Sequence, residues 1–287
     1  MMKKIQLVIS ISLLIMFMGC GEDNDGPTFE EQLAFDQALI ENHLTFNNID
    51  TEIDESGIRY VLNNQGDGEQ VQLGDQIVAK FTTTDLDGNI LLLDTIGFTI
   101  NLTNQVIRSW ALMVPKLMEG GSITVYSPSG YAFGVSGNAT VDPNKIVVFE
   151  IEVVAIIDSE DELLEVEGLL IDELLTESDI AFETHSSGIR YTVIKEGTGE
   201  SPLADGVVSV IYEGSFLNGD VFDGQTEPTL FGLDNLVEAW QIMLPEMKEG
   251  GKIKFFAPSR YCYGTRGSNT IAPNVILAFE VELIEIQ

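Results

Sequence analysis

The feature that most constrains this chain is that it is written twice. Ser56-Gly57-Ile58-Arg59-Tyr60 returns 131 residues later as Ser187-Gly188-Ile189-Arg190-Tyr191. Trp110 returns as Trp240, Glu119-Gly120-Gly121 as Glu249-Gly250-Gly251, and Phe149-Glu150 as Phe279-Glu280, each 130 residues on. A near-constant offset across unlike residue types marks a duplicated unit. Solenoid repeats run to roughly 20–50 residues, so a unit this long is a whole domain. One fold must therefore satisfy both halves. With 44% apolar residues, 27 glycines and 9 prolines, the chain has the composition to build two cores rather than a disordered tether.

Each copy opens on a helical pattern. Phe29 to Leu44 places Leu33, Leu39, Ile40 and Leu44 near one stripe, with Glu30, Glu31, Asp36 and Glu41 mostly elsewhere. Leu163, Val166, Leu170, Ile171, Leu174 and Leu175 repeat the stripe, which predicts helices braced against a domain. The remainder reads as strand. Val207 to Tyr212 is a β-branched run, and Lys252 to Ala257 alternates. In the last segment Leu277, Phe279, Val281 and Leu283 face one way while Glu280 and Glu282 face the other. Val147 to Val153 follows the same pattern. One short helix interrupts the strands in each copy. Asp234 or Asn235 is the expected cap in the second and Thr103 or Asn104 in the first, with Pro245 and Pro115 limiting the helices. Several strands around one short helix give an α+β domain, a curved antiparallel sheet wrapped on that helix.

The first twenty residues read as a targeting leader, outside the fold. Lys3 and Lys4 precede an apolar run, Ile5 to Met18, that ends at Gly19-Cys20. This resembles the lipobox of bacterial lipoproteins, in which the Cys20 thiol takes the diacylglycerol; an ordinary secretory leader with an incidental cysteine is the alternative. The expected organisation is a signal peptide over 1–20, tether and helix over 21–50, a first domain over 51–157, a linker helix over 158–185 and a second domain over 186–287. The implied location is a bacterial envelope, lipid-anchored to the outer membrane on its periplasmic or cell-surface face. Acids outnumber bases by 46 to 14, a net charge of −32, and such a field repels phosphate backbones, so nucleic acid is not an expected partner. Cys262 lies between Tyr261 and Tyr263 without a second Cys or His nearby, and reads as packing. His43 and His185 lack metal-ligand spacing, so neither a metal nor another cofactor is expected.

The second copy carries an ordered series of motifs. They are Val210-Ile211-Tyr212-Glu213-Gly214, Asn218-Gly219-Asp220-Val221-Phe222-Asp223, Leu236-Val237-Glu238-Ala239-Trp240, Met247-Lys248-Glu249-Gly250-Gly251, Tyr261-Cys262-Tyr263-Gly264 and Phe279-Glu280-Val281-Glu282-Leu283. In this order and spacing they resemble the FKBP-type peptidyl-prolyl isomerases from about Gly188 to the end. The resemblance implies two such domains and an apolar bowl in the second. Trp240 would be its floor, with Tyr212, Phe222, Leu236, Val237, Ile271 and Phe279 as walls. It also implies that Tyr263 bonds substrate through its hydroxyl, that the Val237 N–H holds a substrate carbonyl, and that Asp223 pairs with Tyr212. Two departures stand out: a wall aromatic is replaced by Thr229, with Phe231 close by, and Ala272 stands for a frequent proline. In the first copy Trp110, Val106, Ile107 and Phe149 remain, but the tyrosines become Phe81 and Phe133. The Phe-Asp pair becomes Leu91-Leu92, or Leu93-Asp94 if two residues are inserted.

Two functions from different classes follow. In one, the second domain isomerises prolyl bonds in envelope or exported polypeptides, its clients, while the first domain holds or positions them. In the other, both domains are non-catalytic chaperone or assembly surfaces. Macrolide ligands enter through the same resemblance.

Overall fold

A computed structural model describes residues 26–99, 107–138, 140–268 and 271–287. Leader, Cys20, Thr103, Asn104 and Val106 lie outside these residues, as does part of the loop before Ile271. The first unit runs α1 (Phe29–Asn47), β1 (Glu52–Ile53), β2 (Arg59–Asn64), β3 (Gln76–Thr84), β4 (Ile90–Thr99), α2 (Arg108–Met113), β5 (Ser122–Ser127) and β6 (Val147–Ile156). The second repeats it as α3 (Glu160–Glu177), β7 (Glu183–Thr184), β8 (Arg190–Lys195), β9 (Val207–Phe216), β10 (Val221–Gly232), α4 (Glu238–Met243), β11 (Lys252–Ala257) and β12 (Leu277–Ile286). The two antiparallel sheets have the same strand order, β1-β2-β5-β6-β3-β4 and β7-β8-β11-β12-β9-β10. The second sheet thus begins at Glu183, just ahead of the boundary expected at residue 186.

The period-2 pattern sorts the long strands as expected: Leu277, Phe279, Val281 and Leu283 are buried, and Glu280 and Glu282 are partly exposed beside Lys252 and Lys195. On the inner side each sheet closes on its short helix, which drives Trp110 and Met113, or Trp240 and Met243, into the core. These helices lack the side-chain caps expected for them. They start at Ile107 and Val237, with no side-chain cap bond at either. Asp234 and Asn235 instead form a 3-10 turn over Leu233–Asn235, where the Asn235 amide donates to Asp234 Oδ1 at 2.7 Å. That bond commits the polar pair to its own turn. Pro115 and Pro245 each sit in a 3-10 turn that ends the helix.

The brace helices lie on the outer sheet faces. Ile40 and Leu44 of α1 pack with Tyr126, Ile146 and Val148. Leu39 is 40% exposed instead, because 100° per residue carries it off the stripe shared by Leu33, Ile40 and Leu44. Asp36, expected outside, is 1% exposed. Leu163, Leu170, Ile171 and Leu175 of α3 pack against Phe256, Ile276 and Ala278 of the second sheet. They share that cluster with Val78, Ala155 and Ile157 of the first, so α3 joins the two domains. Fully burying a side chain such as Ile171 or Leu175 contributes about 1.5–3 kcal/mol.

Candidate active site

In the second domain the expected site residues converge on one inner core. Trp240, Ile271 and Phe279 belong to its buried cluster, and Tyr212, Phe222, Leu236, Val237 and Tyr263 pack against it half-buried. The Trp240 ring is the hub. Tyr212 meets it edge-on at 5.1 Å, and Phe279 does so at 5.8 Å from β12. Phe222 meets Phe279 at 5.9 Å. Edge-to-face packing of this kind fixes ring orientation as well as burying area.

A β-bulge places the polar wall. Val221 pairs with Ser215 and Asp223 with Gly214, leaving Phe222 as the extra residue. The bulge turns Phe222 toward the core while Asp223, exposed, reaches back along the strand. Asp223 Oδ2 accepts from the Tyr212 hydroxyl at 2.8 Å, and its Oδ1 accepts the Gly224 N–H at 2.9 Å. Gly214 is required beneath the bulged ring, since a Cβ there would lie 2.7 Å from Phe222 Cζ. Burial, then the bond to Asp223, pushes the Tyr212 hydroxyl up to about 12. Burial also raises the Tyr263 hydroxyl, so both phenols stay protonated and able to donate at neutral pH. Among the described residues neither the Tyr263 hydroxyl nor the Val237 N–H has a hydrogen-bond partner. Two donors and a fixed carboxylate therefore surround an aromatic floor.

Sequence reasoning left the wall aromatic open between Thr229 and Phe231. The Phe231 ring lies 5.8 Å from Tyr212 and 6.3 Å from Trp240, while the Thr229 hydroxyl donates to the Glu227 carbonyl. Phe231 is the wall. Phe216, 5.4 Å from Phe222, is a further ring that sequence reasoning missed. Its signal was the strand period, since Tyr212, Gly214 and Phe216 alternate on β9.

The first domain repeats the floor without the polar groups. Phe81 meets Trp110 edge-on at 4.9 Å, Trp110 meets Phe149 at 5.6 Å, and Phe133 lies 6.3 Å from Phe149. Register resolves the ambiguous pair. Thr84 pairs with Ile90 and Thr83 with Leu92, so Leu91 is the bulged residue and Leu92 stands where Asp223 does. Thr83 stands where Gly214 does, a buried threonine in place of glycine. An apolar bowl remains, lined by Phe81, Leu91, Trp110, Phe133 and Phe149, with no tyrosine hydroxyl at either position. No cluster of three or more potential metal ligands occurs among the described residues.

Comparison with known proteins agrees with this duplicated architecture. The family described as FKBP-type peptidyl-prolyl cis-trans isomerase matches twice, at residues 67–154 and 199–284. The chain is 39% identical over 104 residues to an FKBP-type isomerase FkpA of Aeromonas hydrophila, covering 35% of this chain and 39% of that protein. It is 36% identical over 109 residues to the isomerase Mip of Coxiella burnetii, covering 37% and 47%. The crystal structure of FkpA from Escherichia coli aligns at 35% identity and a TM-score of 0.39, covering 43% of this chain and 59% of that one. The chain thus spans less than half the length of the curated relatives it matches.

Proposed function

The chain belongs to the FKBP-type peptidyl-prolyl cis-trans isomerase family, and on that premise we propose that its second domain catalyses isomerisation of prolyl bonds in client polypeptides. Rotating such a bond means crossing a barrier of ~18–20 kcal/mol set by amide resonance. No bond breaks and no proton need move, so the site needs neither nucleophile nor base. What lowers the barrier is a surface that binds the twisted amide better than the planar one. In this reading the proline ring seats on Trp240 between Tyr212, Phe222, Phe231, Ile271 and Phe279. The Val237 N–H takes a substrate carbonyl and Tyr263 donates a second bond. Asp223, held by Tyr212, presents negative charge to the rotating carbonyl carbon. An apolar, partly desolvated floor disfavours the charge-separated planar resonance form.

The observation that carries the proposal is the contrast between copies. The Tyr212–Asp223 bond and the Tyr263 hydroxyl occur over one tryptophan, and their counterparts Phe81, Leu92 and Phe133 lie over the other. The first domain then serves as a binding module for apolar segments, macrolide-like rings among its and the second bowl's potential ligands. The leader reading adds that the protein is anchored through Cys20 to a bacterial envelope membrane and acts on exported clients. The non-catalytic reading keeps one support: the first pocket has lost its polar groups while its fold persists.

The test is isomerisation by the full chain of a proline peptide and of a protein whose refolding waits on a prolyl bond. Trp240→Ala should abolish activity and Tyr263→Phe reduce it. A folded parent inactive on both substrates would make the binding-module reading the correct one.

A further inference from the structure

The brace helix of each copy carries one carboxylate that is buried. Asp36 on α1 and Glu167 on α3 are 1% and 2% exposed, and both reach the same place on their own sheet. Asp36 Oδ2 accepts from the Ser129 N–H at 2.8 Å and from the Ser129 hydroxyl at 2.6 Å, while its Oδ1 accepts from Gln32 at 2.7 Å. Glu167 Oε2 accepts from the Ser259 N–H at 2.8 Å. Ser129 and Ser259 each open a 3-10 turn, Ser129–Tyr131 and Ser259–Tyr261. In the second copy that turn leads, through Cys262, directly into Tyr263. The Tyr263 side of the candidate site and the linker helix are therefore joined through a turn only a few residues long.

The two copies differ in how fully the carboxylate is used. Asp36 is saturated. Among the described residues Glu167 leaves Oε1 buried without a partner, and the Ser259 hydroxyl lies against the carboxyl without a well-aligned hydrogen bond. A buried polar atom left without a partner is destabilising, which sets this carboxylate apart from the satisfied one in the first copy. The rest of the turn is tied to the same helix and its neighbour: Arg260 pairs with Asp161 at 3.3 Å, and the Tyr261 hydroxyl donates to the Ser187 carbonyl at 2.9 Å. Close approach of the helix itself depends on Gly168, where a Cβ would lie 2.7 Å from an Arg190 guanidinium nitrogen.

We propose that Glu167 is a positioning residue for Tyr263: it clamps the Ser259 turn to α3 and so sets where the Tyr263 hydroxyl meets substrate. Because α3 also packs on Val78, Ala155 and Ile157, the clamp makes the second pocket sensitive to how the first domain is docked. The inference rests on the isomerase reading for its catalytic consequence and not for the clamp itself. The charged or titratable groups facing Glu167 are Arg260 and Cys262 from the turn, while Arg190 of β8 lies beside Gly168 and pairs with Asp172 at 2.8 Å. Burial holds the Glu167 carboxyl up at about 7, so the clamp titrates in the physiological range.

Two readouts on the full chain separate the parts of this proposal. Hydrogen exchange of the 258–264 segment reports the clamp; kcat and KM for a proline peptide, from pH 5.5 to 8.5, report its effect on Tyr263. Glu167→Ala should speed exchange in that segment by about tenfold, the size expected for a buried N–H left without its acceptor. Glu167→Gln keeps an acceptor for the Ser259 N–H, so it should retain the parent's protection and lose the inflection near pH 7. In Glu167→Ala, kcat should fall more than KM rises, and adding Tyr263→Phe should lower kcat no further than Tyr263→Phe does alone. Unchanged exchange in a folded Glu167→Ala variant would overturn the clamp. Faster exchange with unchanged kcat, or a fully additive effect with Tyr263→Phe, would overturn the positioning role. An inactive parent whose exchange still responds to Glu167 would sink the isomerase reading and leave the clamp intact.

Discussion

Glu167 also makes a thermodynamic prediction, independent of catalysis. Its carboxyl sits at about 7 in the folded protein against an ordinary 4.5, and burial is the main cause. Below pH 4.5 the group is protonated whether the domain is folded or not, and it costs nothing. Between pH 4.5 and 7 the unfolded chain ionises while the folded one does not, so stability falls as pH rises. Above pH 7 both states are ionised and the full penalty remains. A separation of about two and a half decades in proton affinity corresponds to about 3 kcal/mol. Glu167→Gln removes the titration, so the stability of that variant relative to the parent should climb by about 3 kcal/mol between pH 4.5 and 8. Taking the difference cancels the pH dependence that the remaining acidic residues impose on both proteins. The assay is urea unfolding at half-unit pH steps, followed by Trp240 fluorescence in a Trp110→Phe background so that the second domain is read alone. A difference that stays constant across this range, or falls with pH, would refute the argument.

Other consequences follow from the same packing. Asp36→Ala strips the Ser129 N–H and hydroxyl of a buried acceptor, and should destabilise the first domain by about 3 kcal/mol in chemical unfolding, with Asp36→Asn milder. Ile171→Ala opens a cavity in the cluster shared by α3 and both sheets; it should cost about 2–5 kcal/mol and raise the radius of gyration in small-angle scattering. Gly214→Ala forces the Phe222 ring aside and should raise KM for a proline peptide at a stability cost of about 1–3 kcal/mol.

The fold was legible because its signals are periodic and doubled. Alternation in Leu277 to Leu283 and the repeated glycines and tryptophans need only backbone geometry to interpret. In the second copy the cap assignment failed because Asp234 and Asn235 bond each other in a turn of their own, a local competition that propensity does not reveal. Asp36 was assigned to the outer face because an acid in a helix usually faces water; only the tertiary approach of Ser129 makes a buried carboxylate tolerable there. The ambiguity between Leu91-Leu92 and Leu93-Asp94 was one of register. A bulge shifts which residue faces the core, and without a partner strand no spacing rule can locate it. Phe231 was hidden for the same reason, behind a second irregularity of the β9–β10 pair between Gln225 and Thr229.

The two aromatic bowls share a tryptophan floor, and three polar side chains present in only one of them are what should separate their activities. The direct measurement gives the second bowl the first bowl's three apolar side chains: Tyr212→Phe, Asp223→Leu and Tyr263→Phe together, assayed for kcat/KM on a proline peptide beside the parent and a Trp110→Phe control. The expected result is a loss of roughly a hundredfold or more in the triple variant, of the order seen when oriented polar groups are removed from an active site, with Trp110→Phe near the parent. Parent-like activity in a folded triple variant, or loss of activity in a folded Trp110→Phe variant, would contradict this assignment.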